Sequence, residues 1–238
     1  MHAWTESDVI ARLLGGLIVS CQADEGTPLD APEVLAAMAA AAERGGASGI
    51  RANLPRNVAA IRTRVTVPII GIYKKTTAGY DVYITPTFAH AREVAEAGAD
   101  VIAIDATARP RPGGETVATL IDRIHRELRL PVMADIATFG EAERAAELGA
   151  DLVATTLCGY TEETLDWDVP NQRLVESIAG SISVPLVVEG RVHSPEMAGR
   201  VLDWGARALV IGTAITDITW LTQRYREAVR PRKASTPC

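Results

Sequence analysis

The sequence contains few cysteines and few aromatic residues. Its three cysteines, Cys21, Cys158 and Cys238, are widely spaced, and none belongs to a C-x-x-C pair. A disulfide framework is therefore not expected, and a reducing cytosol is the compartment that fits. No pair of histidines or cysteines has metal-ligand spacing, so no metal site is expected. Aromatic residues make up only 5% of the chain, which favours a layered interior of small and aliphatic side chains.

Long basic blocks and long hydrophobic runs are also missing. The 24 basic and 30 acidic residues are interspersed and give a net charge of −6, so a nucleic-acid partner is not expected. The apolar run 13–19 is far too short to span a bilayer, and the acidic residues before it do not suit a signal peptide. These absences predict a cytoplasmic protein with no membrane partner.

Two patterns alternate along most of the 238 residues. The first is a short apolar run rich in β-branched residues, as expected for a parallel strand that is buried on both faces. The second is a stretch rich in Ala, Glu and Arg with helical spacing. The predicted strands lie at 13–21, 47–53, 67–74, 100–107, 131–138, 151–157, 185–191 and 208–215, and the predicted helices at 33–44, 55–64, 88–97, 115–129, 141–148, 171–179, 195–203 and 217–230.

Local signals support this alternation. Thr138 and Glu141 form a predicted capping box, and Ser194-Pro195 places a cap residue before a proline in the first turn. Glycines at 46, 98, 149 and 205 follow predicted helices at intervals of 52, 51 and 56 residues, which suggests a repeated double βα unit. No Gly-x-Gly-x-x-Gly turn follows the first strand, which argues against an open doubly wound sheet.

The sequence therefore predicts an α/β fold, a single-domain (β/α)8 TIM barrel over residues 13–230. Residues 1–12 are expected to form an N-terminal extension or a short helix. Residues 231–238 are expected to be disordered, because Pro, Ser and Thr dominate there and no apolar periodicity remains. Barrels of this kind often pair, so a homodimer stays open.

Polar residues follow nearly every predicted strand, where barrel enzymes carry their active sites. A lysine, arginines and several carboxylates on one rim are hard to explain by structure alone, because enclosed charges are costly unless paired. The candidates are Gln22, Arg51, Asn53, Lys74, Lys75, Asp105, Thr107, Asp135, Thr138, Thr155, Thr156, Glu189, Gly190, Arg191, Gly212 and Thr213.

Several of these candidates also have a purely structural interpretation. Asp105 and Asp135 could cap their loops, and Glu189 could form an ion pair with Arg51 or Lys74. Lys74 and Lys75 point to opposite sides of a strand, so only one of them can enter the barrel mouth.

A phosphate site is predicted after strands 7 and 8. Gly190, Gly212 and Thr213 stand where barrels often bind phosphate through backbone N–H groups, and Arg191 adds a positive charge.

Sequence motifs over nearly the whole chain resemble those of the N-acylglucosamine-6-phosphate (N-acetylmannosamine-6-phosphate) 2-epimerase family. The most specific matches are IDATARPRP at 104–112 and TTLCGYT at 155–161, together with VPIIGIYKK at 67–75 and VVEGRVHSPE at 187–196. The resemblance implies a (β/α)8 isomerase that interconverts N-acetylmannosamine 6-phosphate and N-acetylglucosamine 6-phosphate in sialic-acid breakdown. This reaction exchanges protons without changing oxidation state, so no cofactor is expected.

The resemblance also implies roles for individual residues. The base is Lys74, after a Gly-Ile-x sequence, and its acidic partner is Glu189. The sugar contacts are Gln22, Arg51 and Asp135, and the phosphate contacts are Gly190, Arg191, Gly212 and Thr213.

The sequence departs from the family pattern at two places. Lys75-Thr76 stands where Arg-Asp is common, and Asp217 stands where an arginine usually meets the phosphate. A second cation, Lys75 or Arg191, could compensate, or the backbone could hold the phosphate. The alternatives are an epimerase acting on the unphosphorylated amino sugar and a sugar-phosphate-binding barrel with impaired turnover. A ketose-phosphate 3-epimerase is disfavoured, because the histidines it would need are missing.

Overall fold

Eight parallel strands form a closed barrel in the computed structural model, which describes residues 6–229. The strands follow one another around the barrel in chain order, and β8 pairs with β1. This arrangement confirms the predicted TIM barrel, and each strand lies inside its predicted run. The strands are β1 Leu17–Cys21, β2 Gly49–Asn53, β3 Ile69–Ile72, β4 Val101–Asp105, β5 Val132–Asp135, β6 Leu152–Ala154, β7 Leu186–Glu189 and β8 Ala208–Ile211.

Helices alternate with the strands and cover the outside of the barrel. The helices between the first and last strands pack their apolar faces on the sheet, and their polar faces meet solvent. The helices are α1 Glu6–Leu13, α2 Pro32–Arg44, α3 Pro55–Arg62, α4 Phe88–Glu96, α5 Val117–Arg123, α6 Phe139–Glu147, α7 Gln172–Ser181, α8 Pro195–Asp203, α9 Thr213–Thr216 and α10 Ile218–Ala228.

One predicted helix is interrupted, and a short additional helix lies where the last predicted strand was expected to continue. The helix predicted at 115–129 is α-helical only to Arg123 and continues as a π-helical turn over Ile124–Leu128. The helix predicted at 217–230 is α10, preceded by the short α9, with Asp217 between them in a non-helical conformation. The Asp217 carboxylate accepts a hydrogen bond from the backbone N–H of Trp220 at 2.9 Å. This N-cap explains why α10 starts where it does.

The predicted local signals are present. Thr138 and Glu141 form the capping box of α6, and Ser194 caps α8 directly before its proline. The four glycines at 46, 98, 149 and 205 all have positive φ angles, between 92° and 105°. Each glycine therefore ends a helix in the left-handed conformation that the repeat predicts.

The core has two layers. One lies between the sheet and the surrounding helices, and the other fills the barrel interior. Val9 and Leu13 of α1 belong to the interior layer, and Leu13 contacts Gly49 at the start of β2. Helix α1 therefore closes the amino-terminal end of the barrel, opposite the strand ends that carry the polar candidates.

The predicted N-terminal extension lies partly, and the predicted C-terminal tail wholly, outside the described residues. Residues 1–5 of the expected extension and all of the expected tail at 231–238 lie there. Within residues 6–229, helices are too short or too polar to cross a membrane. Cys21 and Cys158 are buried free thiols.

Candidate active site

A cavity of about 730 Å³ opens at the carboxyl ends of the strands. Of the nine residues to which the family resemblance assigns roles, all but one line this cavity. They come from β1, β2, β3, β7 and β8 or the loops after them, and they are Gln22, Arg51, Lys74, Glu189, Gly190, Arg191, Gly212 and Thr213. The remaining residue is Asp135, which is fully buried and does not line the cavity.

Asp135 holds the Arg51 guanidinium from below. The two side chains form a bidentate ion pair, with Nη1–Oδ1 at 3.1 Å and Nη2–Oδ2 at 2.6 Å. Both side chains are almost completely buried. A planar fork of this kind fixes the orientation of the guanidinium. The structure therefore places Asp135 behind Arg51 and not at the cavity wall, where a direct contact with a sugar was predicted.

Glu189 joins this pair from the opposite side of the barrel. Its Oε2 lies 3.1 Å from Arg51 Nη1, so the ion pair that the structural interpretation predicted is present. The Thr156 hydroxyl lies within hydrogen-bond distance of both Asp135 Oδ1, at 2.7 Å, and Glu189 Oε2, at 3.1 Å. Four side chains from four strand ends thus form one continuous polar network.

The network shifts the proton affinities of its members. Burial alone would lower the pKa of Arg51, but the charges of Asp135 and Glu189 outweigh burial and raise it. Burial raises the pKa of the Glu189 carboxyl, and the charge of Asp135 adds to this, while Arg51 opposes it. Arg51 therefore stays charged, and Glu189 holds a proton more readily than an ordinary glutamate.

Lys74 lies at the mouth of the same cavity. Its backbone N–H donates to Asn53 Oδ1 at 2.8 Å, which fixes the start of the loop after β3. The Lys74 residue is exposed at this mouth, but the neighbouring protein atoms partly desolvate its amine. This desolvation lowers the pKa of Lys74, and the positive charge of Arg51 lowers it further. Lys75 does not line the cavity.

Nearby carboxylates partly oppose this lowering of the pKa of Lys74. The charges of Glu189, Asp24 and Asp135 act to raise the pKa of Lys74, but desolvation and Arg51 prevail. A lysine with a lowered pKa has a larger neutral fraction near neutral pH, and only the neutral amine can accept a proton.

The predicted phosphate end lies after β7 and β8. Gly190 and Arg191 have consecutive positive φ angles of 120° and 52°, and a left-handed arginine is uncommon. The Arg191 guanidinium lies 5.6 Å from the ring centroid of Tyr160. A Cβ atom on Gly212 would come within 3.2 Å of Cβ of Ser20 on β1, a tight contact that would require Ser20 to shift.

Asp217 also lines the cavity at this end. Its carboxylate caps the N-terminus of α10. An acidic side chain therefore lies at the same end of the cavity as the residues predicted to bind phosphate. His193 lines the cavity as well, with its ring 4.8 Å from that of Trp220.

Asp105 has the structural role that was considered for it. It does not line the cavity, its carboxylate accepts hydrogen bonds from the N–H and hydroxyl of Thr107, and it pairs with Arg109 at 2.8 Å. Within residues 6–229, no group of three or more His, Cys, Asp or Glu side chains is arranged to hold a metal ion.

Among the cavity residues that were not predicted from the sequence as site residues, two come from the segment after β3. Tyr83 and Ile84 reach the cavity from a hairpin after β3, in which Lys74 and Ile84 form an antiparallel bridge. The apolar run at 82–84 gave a signal for a short strand, but its pairing with Lys74 depends on tertiary contacts.

Comparisons with known proteins agree on one family. A family model described as "Putative N-acetylmannosamine-6-phosphate epimerase" matches residues 35–231. Two relatives named "Putative N-acetylmannosamine-6-phosphate 2-epimerase" are similar over almost their whole length. The protein from Cutibacterium acnes is 47% identical over 93% of this chain and 97% of its own, and the one from Thermosynechococcus vestitus is 50% identical over 94% and 97%.

Solved structures give the same result. The structure of the N-acetylmannosamine-6-phosphate 2-epimerase from Clostridium perfringens has a TM-score of 0.89 and 38% identity, and the match covers 96% of this chain and 98% of that one. Thiamine phosphate pyrophosphorylase from Pyrococcus furiosus, at 15% identity and a TM-score of 0.59, shares only the fold. This chain belongs to the N-acetylmannosamine-6-phosphate epimerase family.

Proposed function

We propose that this chain interconverts N-acetylmannosamine 6-phosphate and N-acetylglucosamine 6-phosphate by exchanging the proton on carbon 2. The observation that carries the proposal is the position of Lys74 on the same cavity as Glu189 and Arg51. The names of the family and of its relatives in two bacteria support the choice of substrate.

The chemistry requires a base and a stabilised enolate. The hydrogen on carbon 2 is acidic only when carbon 1 is an open-chain aldehyde, because the electron pair can then move onto oxygen 1. Neutral Lys74 accepts this proton. Desolvation and the charge of Arg51 lower the pKa of Lys74, which favours the neutral form. Returning a proton to the opposite face completes the inversion.

Glu189 is the acidic partner in this scheme. Its contacts with Thr156 and Arg51 fix the carboxyl group in the cavity wall, and its raised pKa makes it able to carry a proton. We assign to it the proton exchange on the face of the sugar opposite Lys74. Arg51, oriented by Asp135, contacts the sugar hydroxyl or acetamido group through its cavity face. Gln22 supplies a further sugar contact.

The phosphate is assigned to the end of the cavity at β7 and β8. Arg191 provides the positive charge, and the backbone around Gly190, Gly212 and Thr213 provides close approach. Lys75, the other cation considered for this role, lies outside the cavity lining. Arg191 therefore offsets the unfavourable charge of Asp217.

A homodimer and a cytoplasmic location are proposed together with this activity. Helix α10 has no buried residue, and Ile218, Tyr225 and Val229 are exposed at or just after it. A second copy that covers this apolar face would remove it from water. A charged sugar phosphate does not cross membranes freely, so an enzyme that uses it is expected inside the cell.

An activity screen tests the proposed substrate. The chain is incubated with N-acetylmannosamine and, separately, with its 6-phosphate, and the products are followed by proton NMR. Conversion of only the phosphorylated sugar supports the proposal. Conversion of the free sugar at equal efficiency would assign the unphosphorylated substrate. Tight binding of the phosphate in calorimetry without any conversion would identify a binding protein.

A further inference from the structure

A short segment at 83–85 is inserted into the barrel wall. Strands β3 and β4 pair only at Ile70–Val101 and Gly71–Ile102. Beyond that point the segment lies between them. The N–H of Thr85 donates to the carbonyl of Tyr73 at 2.8 Å, and the N–H of Asp105 donates to the carbonyl of Ile84 at 3.0 Å. The segment is thus bonded on both sides where the two strands separate.

Thr85 secures this insertion in a strained conformation. It is fully buried and has a φ of 42°, an unusual value for a β-branched residue. Its hydroxyl donates to the carbonyl of Ala103 at 2.6 Å and accepts from the N–H of Tyr73 at 3.1 Å. Strain that the surrounding bonds maintain is concentrated at functional sites. A functional role is therefore expected for the side chain that this segment places at the cavity.

The segment presents Tyr83 to the cavity. Tyr83 is half-buried and lines the cavity next to Ile84, the bridge partner of Lys74. The Tyr83 carbonyl also accepts a hydrogen bond from the N–H of Lys75 at 2.8 Å, which fixes the backbone at this point. Its phenol hydroxyl makes no hydrogen bond to any described residue, although the backbone on either side of it is fully anchored.

The charges around Tyr83 keep the hydroxyl protonated. Burial raises the pKa of Tyr83, and the negative charges of Asp135 and Asp105 raise it further. Lys74, in contrast, has a lowered pKa. One side of the cavity therefore carries an amine that can lose its proton beside a phenol that retains one.

Arg51 and Gln22, which are assigned to other groups of the sugar, already donate hydrogen bonds to protein groups. The Nη atoms of Arg51 are bonded to Asp135 and Glu189. The amide of Gln22 donates to Ser20 Oγ at 2.8 Å. The charge that develops on oxygen 1 of the sugar needs a donor that is free and held in place, and the hydroxyl of Tyr83 meets both conditions.

We propose that Tyr83 is a catalytic residue whose hydroxyl donates a hydrogen bond to oxygen 1 of the open-chain sugar. The proton on carbon 2 moves to the Lys74 amine, the C–H electron pair forms the double bond between carbons 1 and 2, and the carbonyl π pair moves onto oxygen 1. Tyr83 keeps its proton and stabilises the resulting enolate through the hydrogen bond. This inference rests on the proposed 2-epimerase activity.

The test compares Tyr83→Phe with Tyr80→Phe. Tyr80 lies in the turn of the same hairpin but not on the cavity, so it is a matched control. In heavy water with N-acetylmannosamine 6-phosphate, Tyr83→Phe is expected to lower kcat by about 100- to 1,000-fold, the range for loss of one oxyanion donor. Deuterium incorporation at carbon 2 should fall in parallel. KM is expected to change less than about threefold, as for a contact made only in the transition state.

Binding of a reduced analogue separates catalysis from folding. N-acetylmannosaminitol 6-phosphate has a hydroxyl group in place of the aldehyde at carbon 1 and cannot form an enolate, so Tyr83→Phe should bind it with nearly the wild-type Kd. Loss of this binding in proportion to kcat would make Tyr83 a ground-state or structural residue and overturn the inference, as would wild-type kcat in Tyr83→Phe or an equal loss in Tyr80→Phe. Absence of exchange in the wild type would overturn the 2-epimerase activity itself, and this inference with it.

Discussion

Asp135 holds Arg51 in a buried bidentate ion pair at 3.1 and 2.6 Å, directly beneath the cavity that contains Lys74. The pair is shared, because Glu189 contacts the same guanidinium from the far wall. The position of one arginine therefore depends on a carboxylate that does not line the cavity. Asp135 is a positioning residue in this account.

Replacing Asp135 with Asn should destabilise the protein strongly. The amide keeps the shape but removes the charge, and breaking a buried pair by removing one partner typically costs about 3–5 kcal/mol. Urea denaturation measures the loss. Arg56→Gln is the control, because its pair with Asp30 involves an exposed arginine, and such pairs contribute about 0–1 kcal/mol. Equal losses in the two variants would contradict this role.

The rate of exchange at carbon 2 should rise with pH as Lys74 loses its proton. Because desolvation and Arg51 lower the pKa of Lys74, the rise should be centred below the ordinary lysine value of about 10.4. Asp24 carries a negative charge that raises this pKa. Asp24→Asn should therefore move the rise in kcat/KM to lower pH. A shift to higher pH, or a rise that Asp24→Asn leaves in place, would contradict the assignment of the base.

Removing the charge of Arg191 and removing the charge of Asp217 should change KM for the phosphorylated sugar in opposite directions. Arg191→Gln should raise KM for the phosphorylated sugar about tenfold, the effect of roughly 1.4 kcal/mol from a lost charged contact. Asp217→Asn should lower that KM, because it removes a negative charge and asparagine still serves as a helix cap. Neither change should affect the Kd for N-acetylmannosamine, which has no phosphate.

Arg200→Gln provides the control for these phosphate measurements. Arg200 is an exposed arginine on α8 and does not line the cavity. If it raised KM as much as Arg191→Gln, a general effect of surface charge would explain the result. An unchanged KM in Arg191→Gln would remove that residue from the phosphate site.

Much of the barrel could be predicted from the sequence because its determinants are local. Buried parallel strands are apolar on both faces, so all eight appear as short apolar runs such as 67–74. The helix ends are also local, since Thr138 and Ser194 cap helices through bonds to residues three positions away. These features need no knowledge of distant contacts.

The depth of a side chain in the barrel could not be predicted in this way. Asp135 and Glu189 both end strands, yet one is sealed beneath Arg51 and the other lines the cavity. Their depth depends on the stagger of neighbouring strands, which only tertiary contacts determine. The insertion that presents Tyr83 escaped prediction for the same reason, because its partners, Tyr73 and Asp105, belong to two different strand ends.

The most direct test of the account is deuterium incorporation at carbon 2 of N-acetylmannosamine 6-phosphate in heavy water, measured by NMR for Lys74→Ala and Lys75→Ala. Lys75 is the matched control, since it is adjacent in sequence and does not line the cavity. Lys75→Ala is expected to incorporate deuterium at the wild-type rate. In Lys74→Ala the rate of incorporation should be lower by about 100- to 10,000-fold, the usual contribution of a general base. Exchange at the wild-type rate in Lys74→Ala would contradict the account.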